Sequence, residues 1–305
     1  MYLSPEDARS DVILAGATTL FGGFALQLLT RLPFYPRPGV VASVLAIGWV
    51  FVLTGLVPLL LARYRGHGAA AFGLDRSKET WRSGVVVALP VALIGTALGL
   101  LQIGRPLAAA LGRFGAPVTA MAAGTPAVVA LLVAAGQFLA LSAGALLLVS
   151  FLTTRGRDAF RTVEVSLTEL TRTFGMGAAL LALGVGLLRS LGPAALLPTV
   201  LQVLALVAVV LLVDRQVSPG MVAPRTAVLT PVVVVLVIHV FATGGLLRGD
   251  LLTGVYAGAL GAGSATAIAV LIETRWRAWA VLPLVVALHW WPTCLSPLAF
   301  ELGAC

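Results

Sequence analysis

The chain has 305 residues, 59% of them hydrophobic and 10% charged, with a formal net charge of +8 and a mean hydropathy of +1.03. Soluble domains carry about 25% charged residues, so a hydrated surface over the whole molecule is excluded and the composition is that of an integral membrane protein with several spans. The excess of twenty basic over twelve acidic residues would point to nucleic acid in a soluble protein. Here the arginines fall in short connections between apolar runs, where they act as topology signals and contacts to membrane lipids, and no nucleic-acid partner is expected.

The polar start, MYLSPEDARSD, lacks the basic region of a cleaved signal peptide, so the first apolar run is expected to remain as a span. Nine apolar segments follow, at roughly 12–30, 40–62, 84–104, 127–152, 174–189, 194–213, 229–247, 251–272 and 279–299. Each is near the ~20 residues that a bilayer core requires. In lipid every backbone polar group must be satisfied inside its own segment, so all are read as helices. The fold class predicted is all-α, a polytopic transmembrane bundle of about 8–9 spans, forming one integral membrane domain over 1–305. No stretch outside the apolar runs reaches the ~50 residues of a separate soluble domain.

Between the third and fourth segments, 105–126 is too interrupted by Gly and Pro for a span and is placed at the interface. The charged stretch 155–173, RGRDAFRTVEVSLTELTRT, spaces Val163, Leu167 and Leu170 at helical intervals and reads as an amphipathic helix on the membrane surface. With nine spans, the N-terminus shares a side with 63–83, 153–173, 214–228 and 273–278. Fourteen of the twenty basic residues lie there. The positive-inside rule then puts the N-terminus in the cytoplasm, for a multi-pass protein of the cell membrane.

All twelve acids fall in loops, at span ends or in the surface helix, so the buried positions are expected to be almost free of charge. Two intramembrane histidines stand out, His239 in VVVVLVIHVFATGG and His289 in LVVALHWWPTC. Each sits about ten residues into its span, so the pair shares a depth and would be able to hold a zinc ion between parallel helices. The plainer reading is that each neutral ring bonds a neighbouring helix. Cys294 and Cys305 have no metal-type spacing. In GVYAGALGAGSATA, Gly254, Gly258, Gly261 and Ala265 form a small-residue stripe of helix-packing type. Its Ser264 resembles the Gly-Ser surroundings of rhomboid serine proteases, with no base except a distant His289. Gln27, Gln102, Gln137 and Gln202 are polar residues in or at the ends of spans, suited to bonds across helices or to a solute path.

Several stretches in order carry a further likeness: AAAFGLDRSKETWRSGVVVALPVALIGTALGL (70–100), SAGALLLVSFLTTRGRDAF (142–160), RTFGMGAALLALGVGLLRSLG (172–192) and LVDRQVSPGMVAPRTAV (212–228). Over about 60–230 the layout resembles the CPBP family, also called the type II CAAX-protease or Abi family of intramembrane metalloproteases. Residues 229–300 would then be additional C-terminal helices. The resemblance implies a glutamate pair, an arginine and two histidines around a metal and an activated water. This chain has Gly144 and Ala145 where the glutamates would fall, Val149 for the arginine, Arg189 for the first histidine and a position close to Arg225 for the second. The resemblance thus implies a non-catalytic member, without cofactor, that binds another membrane protein or a lipidated or hydrophobic peptide. A second alignment uses His239 and His289 as the metal-binding and catalytic histidines, with zinc, and must take its carboxylates from Glu164 and Glu169. A small-solute transporter or permease subunit is a third possibility.

Overall fold

A computed structural model describes residues 3–29, 32–34, 40–68, 72, 127–160, 162–189, 193–242, 251–274 and 281. The predicted segment 84–104, the segment 279–299 apart from Val281, the interfacial stretch 105–126, His289, Gln102 and both cysteines lie outside the described residues. The elements are α1 (Pro5–Leu29), α2 (Val40–Phe51), a π-helical segment (Val52–Leu56), α3 (Val57–Tyr64), α4 (Ala127–Ala159), β1 (Glu164–Ser166), α5 (Leu167–Leu170), a second π segment (Thr171–Met176), α6 (Gly177–Arg189), α7 (Pro193–Asp214), β2 (Val222–Pro224), α8 (Arg225–Ala242) and α9 (Leu251–Glu273). The chain is mostly helical, as its composition requires. Among the described residues, four helices are long and apolar enough to cross a membrane: Pro5–Leu29, Val44–Tyr64, Leu167–Leu188 and Leu251–Glu273.

The two π segments sit inside otherwise continuous rods, since the residues that flank them keep right-handed helical angles. Helix α4 has 33 residues. At 1.5 Å per residue it is about 50 Å long, against about 30 Å for a hydrocarbon core. Its C-terminal end, with Arg155, Arg157 and Asp158, therefore has length to spare beyond the apolar layer.

Helix α9 lies at the centre. Many of its buried residues are small: Gly254, Gly258, Ala259, Ala262, Gly263, Ala265, Ala267 and Ala269. The predicted stripe packs within the chain. A Cβ at Gly258 would sit 2.9 Å from Leu236 Cδ1 and 3.0 Å from the Leu236 carbonyl. One at Gly261 would sit 3.0 Å from His239 Cε1. Absent side chains let α8 approach α9, which is how membrane helices gain contact without a water-driven force. Ser264, singled out above, donates to the Leu260 carbonyl of its own helix at 2.9 Å. On the outer helices the large apolar side chains face outward, as with Phe21 on α1, Leu60 on α3 and Leu188 on α6. Such faces suit lipid.

Two expectations are corrected. Residues 155–173 are not a surface helix. Arg155 to Ala159 complete α4, Glu164–Ser166 form β1, and Leu167 onward belong to the rod that becomes α6. The strand pairs antiparallel with β2, Glu164 opposite Pro224 and Ser166 opposite Val222. Leu167 and Leu170 are buried in the core and Val163 is 79% exposed, so the three apolar residues share no face. The cause is local: the β-branched Val163 and Val165 favour extended backbone, and β2 supplies the partner that a short strand needs. The second correction concerns charge. Asp11 is inside α1 and 1% exposed, and Arg155 is fully buried.

Candidate functional site: a buried charge cluster at one end of the bundle

The first turn of α1 is built by its own polar residues. Ser4 Oγ accepts the Asp7 amide at 3.1 Å and donates to Asp7 Oδ2 at 2.7 Å. Carboxylates near a helix N-terminus complement its dipole. Asp7 and Asp11 are four residues apart, so both face the same way. Arg65, the residue that ends α3, reaches both, with Nη1 2.6 Å from Asp7 Oδ1 and Nε 3.1 Å from Asp11 Oδ1.

The other oxygen of Asp11 is 3.0 Å from Arg155 Nε. Arg155 lies in the final turns of α4, where a cation is favoured by that helix's dipole. Its guanidinium carbon is 5.2 Å from the ring centroids of both Phe72 and Phe151. Those rings are 5.5 Å apart and inclined by 30°. Nη1 of Arg155 is 3.3 Å from His67 Nδ1, and Nη2 has no hydrogen-bond partner among the described residues. One carboxylate thus bridges two guanidinium groups, and the deeper of these is walled by aromatic faces that favour a cation. Burial and the neighbouring Arg155 charge hold the His67 imidazole below the ordinary histidine range.

Further links gather the charged connections at this same end. Arg9 Nε donates to the Ala159 carbonyl at 2.8 Å, and its guanidinium lies over Phe160. Arg157 pairs with Glu273 at the end of α9, and Arg172 with Asp214 at 2.9 Å. Thr162 and Thr226 hydroxyls are 3.1 Å apart. Gly156 marks the closest approach of α4 to α8, since a Cβ there would lie 2.6 Å from the Thr226 carbonyl oxygen. These links place the N-terminal turn, the 65–67 turn and the 155–160, 162–172, 214–226 and 273 regions near one another.

The positions named from sequence fall elsewhere. Gly144 packs on Thr54 of the first π segment. A Cβ at Gly144 would overlap Thr54 Oγ1 and lie 3.3 Å from Thr54 Cβ. Ala145 is half-buried and Val149 is in the core. Arg189 ends α6, and Arg225, at the start of α8, lies over the Phe174 ring. Glu164 is on β1 and Glu169 in α5. The His239 Nδ1–H donates to the Val235 carbonyl at 2.8 Å, one turn back in α8, and the ring rests on Gly261. His289 lies outside the described residues. Among the described residues no group of three His, Cys, Asp or Glu side chains converges as metal ligands do. Gln202 is buried and accepts a hydrogen bond from the Tyr256 hydroxyl at 2.5 Å, joining α7 to α9.

Sequence reasoning missed the Asp11–Arg155 cluster. The available signal was Asp7 and Asp11 at helical spacing on the first span, together with an arginine directly after the uncharged run 114–154. No family model, curated protein or solved structure matches the chain.

Proposed function

We propose that the chain is a multi-pass membrane protein of CPBP-like layout that lacks the hydrolytic ligand set and works by binding a membrane partner or a hydrophobic or lipidated peptide. The observation that supports this reading is the packing at Gly144. The resemblance assigns a metal-binding glutamate to that position, and Thr54 fills the space where its side chain would begin. The neighbouring assigned positions offer apolar surface in place of ligands. The N-terminus faces the cytoplasm in this reading, because the clustered charged end carries most of the arginines.

The test is the metal content of the purified protein, with and without His239→Ala. The expected outcome is no stoichiometric zinc in either form. Stoichiometric zinc in the natural chain, lost on His239→Ala, would overturn the proposal in favour of a metalloprotease built on His239 and His289.

A further inference from the structure

The turn after α3 folds back over the end of α4. The Arg65 amide bonds the Leu61 carbonyl at 3.1 Å and the His67 amide bonds Ala62 at 2.9 Å. Gly66, with φ of +72°, reverses the chain, a backbone conformation that glycine adopts at little cost. The turn sets the His67 imidazole against Arg155, and Phe72 covers the same guanidinium. These two side chains contribute to the complete burial of Arg155.

A guanidinium has only donors. For Arg155 Nη1 to bond His67 Nδ1, that nitrogen must present a lone pair, so the imidazole is neutral with its proton on Nε2. Protonation removes the acceptor. It also places a second cation 3.3 Å from a guanidinium whose paired carboxylate, Asp11, is shared with Arg65.

We infer that His67 is a pH-operated latch, holding the 65–68 turn over the Arg155–Asp11 pair when neutral and releasing it when it takes a proton from solvent. Among the described residues, the charged groups acting on His67 are Arg155 and Asp158 of α4 and Asp11 of α1. Burial and Arg155 oppose protonation, and the two carboxylates favour it. The first group prevails, so release belongs to acidic pH, below the ordinary histidine range near 6.5.

The test is amide hydrogen exchange of the full chain in lipid nanodiscs at pH 8 and pH 5, with rates corrected for the intrinsic effect of pH. Amides of residues 65–68 are expected to lose protection several-fold at pH 5, while those of α9 are unchanged. His67→Gln keeps a carbonyl acceptor that does not titrate, and is expected to stay protected at both values. His67→Lys, cationic at both, is expected to be open at both. Equal protection of the natural chain at the two pH values would overturn the inference. So would parallel acid opening of His67→Gln, or a closed turn in His67→Lys.

Discussion

Replacing Asp11 by Ala strands the Arg155 guanidinium. Both side chains are out of solvent, at 2% and 0% exposure, and their nearest atoms are 3.0 Å apart. Taking the charge centres as about 4 Å apart, the attraction is about 4 kcal/mol at an effective dielectric of 20. Breaking a buried pair by removing one partner costs about 3–5 kcal/mol in other proteins, because the remaining charge is left uncompensated. Asp11→Ala is therefore expected to lose about 3–5 kcal/mol, read as a shift in the denaturant midpoint of the detergent-solubilised protein. Replacing both partners with apolar residues, as in Asp11→Leu with Arg155→Met, removes the stranded charge and is expected to recover most of the loss. Asp7→Ala should cost much less than Asp11→Ala, since Asp7 is 45% exposed and its partner Arg65 keeps Asp11. An Asp11→Ala cost under about 1 kcal/mol, the level of a surface pair, would refute this reasoning. A double variant no better than the sum of its singles would also refute it.

Four more outcomes follow from packing and titration. Gly156→Ala brings a Cβ to 2.6 Å from the Thr226 carbonyl oxygen and should cost about 1–3 kcal/mol by overpacking, whereas Gly48→Ala, with nothing within 4 Å among the described residues, should be neutral or stabilising by up to about 1 kcal/mol; thermal unfolding of the two variants side by side checks both. Gly144→Glu should destabilise the bundle, and Thr54→Ala in the same chain should relieve part of that loss, as seen in the denaturant midpoints of the single and double variants. His67 has a folded-state pKa below its unfolded value, so between the two values the unfolded chain binds more protons and stability rises with pH. The contribution is whole above about pH 6.5 and declines as pH falls toward the depressed folded value, so denaturation midpoints taken from pH 8 to pH 5 should fall in the natural chain and change less in His67→Gln.

Composition and span length were sufficient where the bilayer dictates the answer. The predicted segment 251–272 differs from α9 by one residue, since an uninterrupted apolar run in lipid has no alternative to a helix. The limits fail where polar residues find partners far away in sequence. The first span was expected from residue 12, but α1 begins at Pro5, because Ser4 caps it and Arg65 and Arg155 take its carboxylates. The segment 155–173 misled for a related reason. Its charges looked like a solvated face, yet Arg155, Arg157 and Arg172 each have a partner on another element. Periodicity describes one helix at a time and carries no record of the carboxylate that a buried arginine meets. The small-residue stripe was legible as a packing surface, but its partner, α8, emerged only from the assembled bundle.

The β1–β2 ribbon has a consequence for how the chain is made. It brings Ser166 and Val222 together, so the intervening helices leave from one point and return to it. During synthesis the first strand emerges well before the second, 222 − 166 = 56 residues later. At about 5–20 residues per second that is a wait of about 3–11 s. Through that interval β1 has no β2 to pair with. The ribbon thus ties together the two ends of the stretch that holds α5, α6 and α7.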